Sequence, residues 1–134
     1  MNRRETREHI FKLLFLDDFY DKEELNKEFE LYFDTEVKCS EEDKKYMADK
    51  AMAIIDNKEE IDKQIDAVSN NWSIDRMDKV DKSILRLAYY EIKMDDEVPE
   101  KVAVNEAVEL SKKFSSDASP KFINGVLSNF MKSE

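Results

Sequence analysis

Three of the five arginines in this chain, Arg3, Arg4 and Arg7, lie within its first seven residues; the other two are Arg76 and Arg86. Residues 3–20 carry apolar side chains at helical spacing, so the three arginines open a helix. Cations at a helix N-terminus oppose the macrodipole and cost roughly a few tenths of a kcal/mol each. Arg3 and Arg7 are four apart and share a face that continues the line of Ile10 and Leu14, whereas Lys12 lies on another. Guanidinium groups grip phosphate through paired, directed N–H donors, which an ammonium lacks. Charge alone leaves two readings open: a compact cationic tip for phosphate, or a frayed and solvated terminus.

The usual enzymatic constellations fail on inventory. The single histidine, His9, stands beside Glu8, which excludes a multi-histidine zinc site and a paired Glu-x-x-His di-iron site. Phosphotransfer through one histidine stays formally open, but no glycine nearby gives a donor access, and His9 reads as a surface or boundary residue. There is no Gly-rich phosphate loop, nucleophile elbow or cysteine–histidine pair. The lone Cys39 excludes a disulfide framework and suits a reducing compartment. Carboxylates cluster as "DDFYDKEE", "SEED" and "MDDE", the pattern of solvated helix ends. No catalytic residue, metal site or cofactor is expected. The net charge of −10 opposes non-specific attraction to nucleic acid or anionic membrane, and leaves room only for local binding by clustered cations.

The elements that would position these residues are helices. One glycine and two prolines in 134 residues are too few for the turns of a sandwich or barrel. The apolar spacing predicts helices over about 3–20, 23–33, 40–55, 57–68, 76–94, 100–114 and 119–130. Ser40, Asn57 and Ser119 are the expected N-caps, the first in a Ser-x-x-Asp capping box. Ala103, Ala107 and Ser111 form a small-residue seam suited to close helix packing. Glu91 falls in the inward stripe of the fifth helix, with Arg76, Lys101 or the Trp72 indole as candidate partners. Asn105 and Asn124 are placed to bridge helices. Arg86 lies opposite that stripe, on a mixed-charge outer face with Lys79, Lys82, Asp78 and Asp81. The only glycine, Gly125, sits inside the last helix, where it costs about 0.5–1 kcal/mol relative to alanine. Either another helix packs close on that flank, the preferred reading, or bare backbone meets a partner. No apolar run reaches the ~20 residues of a membrane span. "IFKLLFL" is broken by Lys12 and followed by two aspartates, so a cytoplasmic protein without a signal peptide is expected.

Taken in order, "RRETREHIFKLLF", the Trp72–Arg76 pair, "VDKSILRLAYYEI", "VPEKVAVNEAVELSKKF" and "SPKFINGVLSNF" resemble the NusB transcription antitermination factors. The resemblance covers the whole chain. It implies an all-α fold of two three-helix bundles packed across each other with one additional helix, divided at about 1–70 and 71–134. It implies a non-catalytic role: binding boxA-type RNA with NusE, the ribosomal protein, in a complex that carries RNA polymerase through ribosomal RNA operons. By motif, the RNA side takes Arg3, Arg4, Arg7, Phe15, Ser119, Lys121 and Phe122, and the partner-protein side Arg76, Asp81 and Arg86. Many members have tyrosine at the place of Phe15 and aspartate at that of Ala118. A helical adaptor that binds only protein is the alternative, and self-association stays open.

Overall fold

A computed structural model describes residues 1–70 and 73–132, and every regular element among them is helical. The chain divides into two compact units, Met1–Asp56 and Asn57–Glu134.

The first unit contains α1 (Arg3–Asp17), α2 (Lys22–Thr35) and α3 (Glu41–Asp56). Each start is set by a side chain that accepts a free first-turn N–H. Asn2 accepts from the Glu5 amide at 2.8 Å while the Glu5 carboxylate accepts from the Asn2 amide at 3.3 Å, a reciprocal capping box. Asp21 caps α2 through the Glu24 amide and Ser40 caps α3 through the Asp43 amide, at 2.9 and 3.0 Å. Helix α1 packs against both α2 and α3. Ile10, Leu13, Leu14, Leu25, Met47 and Ile54 are sealed in the interior. Burying each such side chain stabilises the fold by about 1.5–3 kcal/mol before chain entropy is counted.

The second unit contains α4 (Lys58–Val68), a 3-10 turn (Ile74–Arg76), α5 (Lys79–Lys93), α6 (Glu100–Phe114) and α7 (Ser119–Ser128). Helices α5, α6 and α7 pack on one another, and α4 packs on α5. The bundle boundary expected near residue 70 falls inside the second unit, which opens with α4. The seam of Ala103, Ala107 and Ser111 is buried, as is Glu91 at 1% exposure. Asn70, beyond α4, takes a positive φ of 57°, a conformation asparagine tolerates better than most residues.

Several expectations change. Helix α5 starts at Lys79 rather than Arg76, because Asp78 accepts the Asp81 amide at 2.8 Å and ends the 3-10 turn before it. Asn57 occupies the N-cap of α4 without a side-chain cap bond. Ser119 lies inside α7; the N-cap is Ala118, which has no side chain to offer. Asn105 and Asn124 are exposed rather than packed between helices. Gly125 is exposed too, and a Cβ built there would meet no atom within 4 Å among the described residues, so no helix of theirs explains it. Trp72, and with it the Trp72–Arg76 pair, lies outside the described residues.

Candidate nucleic-acid interface

In the first unit the arginine tip is smaller than the spacing suggested. Arg3 and Arg4 are exposed, while Arg7 is 7% exposed and belongs to the packed body of α1. The burial that begins with Thr6, whose Oγ1 donates to the Arg3 carbonyl at 2.9 Å, separates the two sets. Phe15 is half-buried against Phe19, their centroids 5.1 Å apart, and Phe19 stays 54% exposed. Twelve residues of helix put this aromatic pair roughly 18 Å along the axis from Arg3.

His9 is tied down. Its Nδ1 lies 2.7 Å from the Tyr32 hydroxyl, and the rings meet edge-on at 5.8 Å. Burial, reinforced by Lys12, lowers the imidazole pKa from its ordinary 6.5, and burial likewise raises that of the Tyr32 hydroxyl. At neutral pH a protonated phenol and a neutral imidazole therefore share one hydrogen bond, its donor set by the imidazole tautomer. His9 is a boundary residue with its Nδ1 occupied.

In the second unit, Asp81 organises the approach to α7. It is 7% exposed, and burial raises its pKa above the ordinary carboxylate value; the neighbouring Asp78 pushes the same way while the serine hydroxyls oppose it. Ser115 Oγ donates to Oδ1 at 2.7 Å and Ser119 Oγ to Oδ2 at 3.1 Å. Ser119 Oγ also lies 3.0 Å from Ser116 Oγ and 2.7 Å from Ser115 Oγ. Three hydroxyl hydrogens thus face four contacts, and a proton on Asp81 would supply the fourth. Ser119 is 3% exposed, so its hydroxyl anchors the first turn of α7 to α5. Beyond it, Lys121 is exposed and Phe122 half-buried.

The three residues assigned to the partner side are placed differently from one another. Arg76 is exposed; Asp81 and Arg86 are buried. The outer face expected for Arg86 is covered by α4, whose Asp62 accepts from Nε and Nη2 at 2.8 Å each, a bidentate pair. Arg76 instead borders an open cleft of about 410 Å³ with Asp78, Asp81, Ser116, Ser119 and Phe122. Asp62, Ser115 and Ser116 were missed from sequence because solvated helix ends look the same until a partner appears. Ser115 and Ser119 are four apart, the one available hint.

Among the described residues no group of three or more His, Cys, Asp or Glu side chains could hold a metal ion, and no helix is long and apolar enough to cross a membrane.

The model of the NusB family matches residues 4–132. The chain is 47% identical over 130 residues to the transcription antitermination protein NusB of Agathobacter rectalis, covering 97% of this chain and 99% of that one. With the protein of the same name from Lachnoclostridium phytofermentans it shares 44% over 127 residues, covering 95% and 96%. Among solved structures it resembles T. maritima NusB, with a TM-score of 0.81, 31% identity and coverage of 97% and 90%. It also resembles a chain of a crystal structure of antitermination factors NusB and NusE in complex with dsRNA, with a TM-score of 0.79, 28% identity and coverage of 96% and 94%. Sequence likeness running through almost every residue, on helices that follow those of solved NusB chains, makes this chain a member of the NusB family.

Proposed function

We propose that this protein is an antitermination factor that binds boxA-type RNA together with NusE and, in a complex with RNA polymerase, supports processive transcription of ribosomal RNA operons. The observation that carries the reading is its near-full-length likeness to NusB proteins, one of them solved with NusE and RNA. The start of α7 supports the RNA side. It has neither a side-chain cap nor an acidic residue in its first turn, and it presents Lys121 and Phe122. An uncapped helix N-terminus with a cation beside it favours phosphate, and a half-exposed ring offers a surface for a base. Arg3 and Arg4 contribute phosphate contacts and Phe15 an aromatic one, while Arg7 and Ser119 act by holding their helices in place. On the partner side Arg76 makes direct contact, and Asp81 and Arg86 position α5. With a net charge of −10 and few clustered cations, the protein alone engages few phosphates; a basic partner on its acidic body adds complementary charge and further RNA contacts.

The test is a gel shift of boxA-type RNA with and without NusE, on wild type and an Arg3→Ala/Arg4→Ala variant. Both side chains are exposed, so each replacement should shift stability by no more than about 0.5 kcal/mol. RNA affinity should fall and the log–log salt slope should flatten by about 1.4, corresponding to two phosphates on a single strand. Unchanged affinity and slope would remove the arginines from the site. Absence of RNA binding by wild type even with NusE would leave a protein-only adaptor.

A further inference from the structure

We infer that the groove beside Gly125 receives one unpaired nucleotide of the RNA engaged by Lys121 and Phe122. The inference rests on the RNA-binding role proposed above. Gly125 is the chain's only glycine and stands inside α7, where alanine would make a more stable helix. Nothing among the described residues requires it: it is exposed, none of their atoms lies within 4 Å of where its Cβ would be, and its φ is not positive. The missing side chain instead leaves open an indentation of about 360 Å³ between α7 and the end of α4, lined by Ser69, Asn70, Lys121, Phe122, Gly125 and Asn129 among others. That volume falls in the range of small-ligand sites, which begins near about 300 Å³.

The chemistry of the lining selects the occupant. The protein has 32 acidic residues, yet none is among the described residues of this groove, whose one charged side chain is Lys121. The adjoining cleft, by contrast, holds Asp78 and Asp81 beside Arg76. Phe122 lines both spaces, so its ring separates an acidic cleft suited to a basic protein from a cationic groove suited to RNA. The Asn129 amide donates through Nδ2 to the Gly125 and Val126 carbonyls, both at 3.1 Å. That arrangement fixes the side chain and leaves its Oδ1 as an acceptor for a base edge. Ring face, lysine and oriented amide are the elements with which proteins read single-stranded RNA.

Gly125→Leu tests the assignment, because the new side chain enters open space and fills the groove. With boxA-type RNA and NusE, affinity should fall about tenfold, the loss of one stacked base. Binding to NusE without RNA should not change, and the melting temperature should hold or rise. Asn129→Glu, which places a carboxylate in the groove, should give the same RNA-specific loss and decides the matter if the leucine variant does not fold. Wild-type RNA affinity in both variants would overturn the inference while leaving the RNA-binding role intact. Weakened NusE binding in the absence of RNA would overturn it in favour of a protein contact. Failure of wild type to bind RNA with NusE would sink the underlying role itself.

Discussion

Removing the Asp62 carboxylate should damage this protein more than its position near the surface suggests. The Arg86 side chain is 8% exposed and Asp62 22%, and the guanidinium gives two hydrogen bonds of 2.8 Å to the Asp62 carboxylate. Breaking a buried pair by deleting one member typically costs about 3–5 kcal/mol, because the remaining charge is left desolvated. Partial water access to Asp62 places Asp62→Ala at the lower end, about 3 kcal/mol, or roughly 10 °C in melting temperature for a chain of this size. The same reasoning makes a paired apolar replacement mild: Asp62→Leu with Arg86→Met should cost no more than about 1 kcal/mol, since the desolvation penalty disappears with the charges. Urea denaturation of both single variants and the double, followed by far-UV circular dichroism, closes a double-mutant cycle. Hydrogen exchange should locate the loss of protection in α4, which the pair fastens to α5. A cost below about 1 kcal/mol for Asp62→Ala, or a double variant no better than the singles, would refute the view of Arg86 as a desolvated structural charge.

Gly125→Ala should stabilise the fold by about 0.5–1 kcal/mol in the same denaturation assay, because its methyl enters open space in a helix; a loss would expose a packing role that the backbone conceals. His9, as the only histidine, can be followed alone by NMR, and its titration midpoint should lie below 6.5. Because the folded pKa is lowered, its contribution to stability is present above 6.5 and is lost as pH falls from there through the folded value; Lys12→Ala should raise the midpoint. Asp81 has the opposite sign: its raised pKa means stability present below the ordinary value and lost as pH rises through the folded one. The stability of wild type relative to Asp81→Asn should therefore decline across that window, and a flat difference would show that burial does not perturb this carboxylate.

Much of the fold was legible because the apolar periodicity and the stop signals agree. Helix α6 runs from Glu100 to Phe114 as read, with Pro99 closing the acidic loop before it. Errors arose where one residue type serves two purposes. Ser119 has the chemistry of an N-cap, but Asp81 takes its hydroxyl, an interaction between residues 38 apart that no local pattern contains. Arg86 sits opposite the main stripe of α5, and a helical wheel assigns that side to solvent. Helix α4 covers it instead, so α5 is buried on more than one face. Arg7 continues the line of Ile10 and Leu14, and the same continuity that made it look like part of a cationic tip carried it into the packed surface. Gly125 was the residue whose oddity could be read from composition alone, although its open surroundings could not.

The hydroxyl cluster around Asp81 bears on how such a sequence can diverge. A carboxylate that receives Ser115 and Ser119 cannot be exchanged for an apolar residue without cost while both serines remain, since one buried and one half-buried hydroxyl would lose their acceptor. Nor can either serine change freely while the ionised aspartate stays. Positions 81, 115 and 119 are therefore locked into joint substitution: a drifting lineage must cross an unstable intermediate or change them nearly together.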